Sequence, residues 1–158
     1  PEQSVSPTLR GNVIEQSRSY GIYLQGGSAL LESNQVRGAG QAGIALLGDG
    51  TVSAAQNTVE QNQTHGILVE GSVKATLENN TVQGNALCGI VLRTFSESIV
   101  RGNTLQNNGL FGLELQDKAK AQIEGNQISG NEAAAIRAAK LSEAQIGENQ
   151  VSGRVIRE

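Results

Sequence analysis

The chain has 158 residues, a formal net charge of −3 and a pI near 5.2, which is one domain's length and enough to bury a core. It holds 20 Gly, 13 Asn and 15 Gln but only 3% aromatic residues and neither Trp nor Met, so any core must be built from Val, Ile, Leu and Ala. No apolar run approaches the roughly 18 residues of a membrane-spanning helix, no basic run suits a nucleic acid, and a single Cys and a single His exclude a disulfide and argue against a metal cage.

From the N-terminus, residues 1–8 carry no regular pattern and are expected to form a poor cap. From Leu9 onward one unit recurs. An aliphatic residue (Leu9, Leu31, Ala54, Leu77, Val100, Ile123, Ile146) is followed three places later by Asn. The Asn column is Asn12, Asn34, Asn57, Asn80, Asn103, Asn126 and Asn149, with steps of 22 and then five times 23. A β-branched or aliphatic residue follows each Asn by two, from Ile14 to Val151. Nine residues after the Asn comes Gly21-Ile22, Gly43-Ile44, Gly66-Ile67, Gly89-Ile90 or Gly112-Leu113, and last Ala135-Ile136. Two further on stand Leu24, Leu46, Val69, Leu92, Leu115 and Ala138. Four columns in phase over six steps are an internal repeat.

Within each unit the apolar residues alternate in short runs, as in Ile67-x-Val69 and Ala75-x-Leu77, separated by Gly, Asn, Gln and Ser. Alternation is strand periodicity and the separators are turn formers. The sequence therefore predicts an all-β fold: a right-handed parallel β-helix, a solenoid of six to seven 23-residue coils with three short strands per coil. Coils spaced by about 4.8 Å make a rod on the order of 30 Å long. The whole of 1–158 reads as one domain, with repeat coils over 9–151 and an incomplete final coil over 152–158. The chain does not begin with Met, finds no capping helix, and reads as a segment of a longer protein rather than one capped by self-association.

Stacked Asn amides can bond from turn to turn, so the seven Asn are assigned as a structural ladder. A shorter ladder is expected at Asn62, Asn85, Asn108 and Asn131. The Gly column is read as a backbone conformation that a side chain would disfavour. Irregularities are expected in a trimmed turn near Gly26-Gly27-Ser28 and in the last coil, where Ala135 replaces Gly.

The pattern Asn-x-Ile/Val…Gly-Ile-x-Leu resembles the parallel β-helix repeat superfamily of carbohydrate-binding and sugar-hydrolysis domains. That superfamily includes right-handed β-helix enzymes acting on polysaccharides and proteins like those that mature nitrous-oxide reductase. The resemblance covers residues 9–151 and implies the fold, a pectate-lyase-like solenoid; its columns are structural and say little of activity. It suggests an extracellular or periplasmic location, while a lone Cys suits a cytosolic one equally.

Catalytic signatures are sparse. The only two Asp, Asp49 and Asp117, are 68 residues apart, about three coils or roughly 14 Å, too far for paired-carboxylate hydrolysis. His65 shares a variable column with Tyr20, Ala42, Cys88, Phe111 and Ala134 and reads as a packing or surface residue, as does Cys88. Glu32, Glu78 and Glu124 share a column with Arg10 and Arg101 and read as a solvated face. No catalytic residue, metal site or cofactor is assigned, and the balance leans away from an enzyme. The position between the two inward aliphatics should point outward, and there Tyr23, Ala45, Leu68 and Val91, with Leu47 beside them, are expected to form an exposed apolar binding stripe. The reading is a non-catalytic module that binds or scaffolds a polysaccharide or protein partner, with no nucleic acid and no membrane, and with self-association open through uncapped ends or the stripe. The alternative is a piece of a polysaccharide lyase, epimerase or hydrolase whose catalytic coils lie elsewhere.

Overall fold

The computed structural model describes residues 6–158 and contains twenty-one strands in seven coils. The first coil holds β1 (Thr8–Arg10), β2 (Val13–Glu15) and β3 (Ile22–Gln25), the second β4 (Ala29–Glu32), β5 (Gln35–Arg37) and β6 (Ile44–Leu47). The third has β7 (Asp49–Ala55), β8 (Thr58–Glu60) and β9 (Ile67–Val69), the fourth β10 (Ser72–Glu78), β11 (Thr81–Gln83) and β12 (Ile90–Leu92). The fifth has β13 (Glu97–Arg101), β14 (Thr104–Gln106) and β15 (Phe111–Leu115), the sixth β16 (Lys120–Glu124), β17 (Gln127–Ser129) and β18 (Ala134–Ala138). The seventh has β19 (Glu143–Ile146), β20 (Gln150–Val151) and β21 (Val155–Arg157).

Every third strand pairs in parallel, giving three seven-stranded sheets: A from β1 to β19, B from β2 to β20, and C from β3 to β21. Equivalent residues lie directly over one another, for example Ile44, Ile67, Ile90 and Leu113 in sheet C. The aliphatic columns fill one continuous core, with Leu31, Leu77, Ile90, Leu92, Leu105 and Leu115 fully buried. The chain is thus an all-β solenoid, as the repeat requires.

The corners between the sheets explain both Asn ladders. At the A–B corner a residue in the left-handed region (Gly11, Ser33, Gln56, Asn79, Gly102, Gly125) precedes the ladder Asn. Each Asn Oδ1 from Asn34 to Asn149 accepts both the backbone N–H and the Nδ2–H of the Asn one coil earlier. Its own Nδ2 also donates to the carbonyl of the aliphatic residue one coil back, as Asn80 does to Ala54 at 2.9 Å. The B–C corner uses the same device at Asn62, Asn85, Asn108 and Asn131. Ala39 ends that ladder on the N-terminal side, and its N–H still donates to Asn62 Oδ1.

The Gly column has a different cause from the one expected. None of Gly21, Gly43, Gly66, Gly89 and Gly112 has positive φ. Space is the constraint: a Cβ on Gly66 would lie 2.3 Å from Val82 Cγ1 and 2.7 Å from the Gly89 carbonyl oxygen of the next coil. Ala135 fits because its neighbour is the abbreviated seventh coil, where β20 and β21 are joined by residues 152–154 alone. Residues 152–158 therefore close the last coil in shortened form rather than leaving an interrupted strand. The trimmed turn falls where expected, with Gly26-Gly27 facing Gly48-Asp49-Gly50. Of the cap expected over 1–8, residues 1–5 lie outside the described residues and Thr8 begins β1.

Two core columns carry a hydroxyl where their neighbours have methyl groups. Ser98 pairs with Ala75 and Ala121, and both Ser98 Oγ and Ser96 Oγ are buried without a hydrogen-bond partner. Removing such a hydroxyl removes its desolvation cost, so Ser98→Ala is expected to raise the unfolding free energy by about 1 kcal/mol in urea denaturation.

Candidate functional site

The outer face of each sheet is decided by the residues that alternate with the core columns. On sheet A, the outward positions nearest the C–A corner are Thr51, Lys74, Glu97, Lys120 and Glu143, stacked in register. The next outward column is Ser53, Thr76, Ile99, Gln122 and Gln145. All of these but Ser53 line an open groove of about 480 Å³ that crosses five coils, with Ala75, Ser98 and Ala121 as its bed. The volume is within the usual range of ligand sites.

The groove's charges are balanced and alternate in sign. Lys120 pairs with Glu143 at 3.3 Å, whereas Lys74 and Glu97 form no ion pair among the described residues. The far edge of the same sheet is different. There the Glu32, Glu78 and Glu124 column is saturated by arginine: Arg10 pairs with Glu32, and Arg101 spans Glu78 at 3.2 Å and Glu124 at 2.8 Å. That column is a solvated charge ladder, and exposed pairs of this kind add little stability each. Just ahead of β13 the turn carries Phe95, 59% exposed, with Lys118 Nζ 5.8 Å from its ring centre. The alternation Lys74, Glu97, Lys120, Glu143 runs at 23-residue steps in the sequence, the same signal that marks the solvated Glu and Arg column.

The outer face of sheet C does not hold the expected exposed stripe. Ala45 and Val91 are fully buried, Leu68 is buried, Leu47 is half-buried, and only Tyr23 is exposed. The connection from the B–C corner to each sheet C strand folds back over that strand. Its residues Tyr20, Ala42, Cys88 and Leu110, with Phe111 at the start of β15, pack with Leu68 and Val91 into a second small apolar cluster. The stripe is an interior layer, so it offers no free binding surface.

Where that layer turns polar, Glu114 replaces the aliphatic residue and is buried. Arg137 meets it at 2.6 Å and bridges to Glu158 at 2.7 Å. The Cys88 thiol donates to Glu114 Oε2 at 3.4 Å, and burial, with the Glu114 carboxylate beside it, pushes the thiol up to about 12. Such a cysteine stays a thiol and is not a nucleophile at neutral pH. His65 Nδ1 accepts the Cys88 backbone N–H at 3.3 Å. This fixes the neutral ring's proton on Nε2. Burial pulls the imidazole below its usual 6.5, opposed by Glu114 and assisted by Arg93. The folded state therefore binds fewer protons at His65 than the unfolded chain, so stability is full above about pH 6.5 and falls as pH drops below it. Thermal melts from pH 7 to 5 should show this loss, and His65→Ala, matching Ala42 and Ala134 in the same column, should reduce the slope.

Asp49 and Asp117 remain three coils apart. Asp117 sits at a positive-φ turn, where Oδ2 accepts the Thr94 N–H at 3.0 Å. Among the described residues, no three His, Cys, Asp or Glu side chains converge as a metal site. Among the described residues, no helix is long and apolar enough to cross a membrane. A family model described as a right handed beta helix region matches residues 2–151. No curated protein matches the chain.

Proposed function

The chain belongs to the right-handed β-helix family, and from that premise we propose that it is a binding module whose groove on sheet A holds an extended polysaccharide. The observation that carries this reading is the groove itself: five coils present Lys, Glu, Thr and Gln side chains in register along one open channel, with half-buried Ile99 at the middle of its floor. A rigid core and two Asn ladders hold those side chains at fixed intervals of about 4.8 Å, so the surface is preorganised for a repeating partner. Hydroxyl-rich polymers suit it because carboxylate, ammonium and amide groups all hydrogen-bond to hydroxyls. Sheet C, by contrast, is roofed by its own connections and leaves no room there. A polysaccharide partner places the protein's work outside the cell or in the periplasm.

The test is a glycan array read with the wild-type chain and with the Lys120→Ala/Gln122→Ala variant, both exposed positions. Retention of one polysaccharide group by the wild type and its loss in the variant is the expected result. Equal retention by both would place binding elsewhere. Release of unsaturated ends from uronic-acid polymers would replace the binding module with a lyase.

A further inference from the structure

We infer that the outer face of sheet A is a two-fold interface for a second copy of this chain, with the two rods parallel and side by side. The inference does not rest on the polysaccharide reading; a partner copy and a polysaccharide compete for one groove. Charge placement is the first argument. In three successive coils the outward positions at the two ends of the sheet A strand carry opposite charges: Lys74 and Glu78, Glu97 and Arg101, Lys120 and Glu124. A two-fold axis parallel to the rods sets the first of these positions against the last in the same coil of the other copy. Lys74 then meets the partner's Glu78, Glu97 the partner's Arg101, and Lys120 the partner's Glu124, and the axis repeats each contact. The neighbouring coils oppose no like charges, since Ser28 faces the partner's Glu32, Thr51 the partner's Ala55 and Glu143 the partner's Gly147.

Shape is the second argument. The groove runs between the Lys74–Glu143 column and the Thr76–Gln145 column. The Glu78–Arg101–Glu124 column stands outside it, across the floor column, as a ridge. In the two-fold arrangement each copy's ridge enters the other's groove with alternating signs in matching phase. The pairs that Lys120 makes with Glu143, and Arg101 with Glu78 and Glu124, run along the columns and are open to solvent. Those cations keep donors for the partner, since Arg101 uses only Nε and Nη1. The floor column lies on the axis, so its two half-buried aliphatics, Leu30 and Ile99, each pack against their own copy. An apolar centre inside a charged rim is the anatomy of a protein interface. A copy turned about an axis across the rods also pairs the charges, Lys74 with the partner's Glu143, but overlaps only coils four to seven. The parallel face covers about 500 Å² per copy by strand length and spacing, at the lower end of specific interfaces, so dissociation in the micromolar range is expected.

Sedimentation equilibrium of the full chain, from about 1 µM to about 500 µM, tests this. The wild type is expected to pass from 16.5 kDa to twice that mass. Glu97→Arg sets like charges against the partner's Arg101 at two places and should weaken the dimer at least about tenfold. Adding Arg101→Glu exchanges the two charges and should restore it when the rods are parallel, whereas rods turned end for end would then oppose like charges. Both residues are exposed, so the melting temperature serves as a folding control. A wild type that stays monomeric throughout, a Glu97→Arg variant that dimerises as tightly, or a double variant that stays weak would each overturn the inference. None of these results touches the glycan-array outcome, and a failed array leaves the dimer standing.

Discussion

Asn80→Ala is expected to lower the unfolding free energy by about 3 kcal/mol or more in urea denaturation, one of the largest effects of any single side-chain truncation in the chain. Asn80 Oδ1 accepts the Asn57 N–H and Nδ2–H, each at 3.0 Å, and Asn80 Nδ2 donates to Ala54 O at 2.9 Å and Asn103 Oδ1 at 3.0 Å. All of these groups are buried in the middle of the rod. Alanine leaves the Asn57 N–H without a partner and without access to water, and it removes the side-chain donor from the Ala54 carbonyl, which lies in the β7–β10 ladder. Asn12→Ala is the control. Its side chain is exposed and makes one bond, Nδ2 to Asn34 Oδ1 at 2.9 Å, so the cost should stay below about 1 kcal/mol. Equal losses for the two would mean that the ladder does not act as a ladder.

The second large effect is expected at the Gly column. Gly66→Ala places a methyl group against Val82 Cγ1 and against the Gly89 carbonyl oxygen. Rotating Val82 could relieve the first contact. The second is with backbone that already accepts the Ile67 N–H at 2.9 Å, so relief requires the coils to part. Overpacking of this kind costs about 3 kcal/mol. Gly27 has a positive φ, so Gly27→Ala carries backbone strain, but nothing lies within 4 Å of its added Cβ. A loss on the order of 1 kcal/mol is expected there. Guanidinium or urea unfolding of both variants separates the two causes: a greater loss at Gly27 would restore backbone conformation as the dominant constraint.

The repeat made the fold legible because in a solenoid identical positions touch. Leu31, Ala54 and Leu77 share a column in sequence because they share one in space, and the seven Asn are spaced as they bond. What a strand's alternation cannot say is what lies over its outer face. Ala45, Leu68 and Val91 do point away from the main core, yet Ala42, Cys88 and Phe111 pack over them, and the column holding those covering residues reads as merely variable. The same covering explains Glu114, which is buried between Arg137 one coil after it and Cys88 one coil before it. Glycine posed a different problem. Its presence states that a side chain is excluded, while only coordinates tell whether φ or a neighbour excludes it, and at Gly66 it is the neighbour. The groove was hidden in plain view, since a charged column at steps of 23 is indistinguishable in sequence from the paired ladder at Arg101.

Distances between spin labels on one outward column of sheet B test the stacking most directly. Gln35, Thr104, Gln127 and Gln150 share that column, two or more coils apart except for adjacent members of the last three. With one label on Gln35→Cys and the second moved from Thr104→Cys to Gln127→Cys to Gln150→Cys, pulsed dipolar spectroscopy should give separations that grow in equal steps of about 4.8 Å. The native Cys88 is buried and would be replaced by Ala, as in Ala42 and Ala134 of its column. Separations that fail to grow, or that grow in unequal steps, would contradict a chain wound turn upon turn.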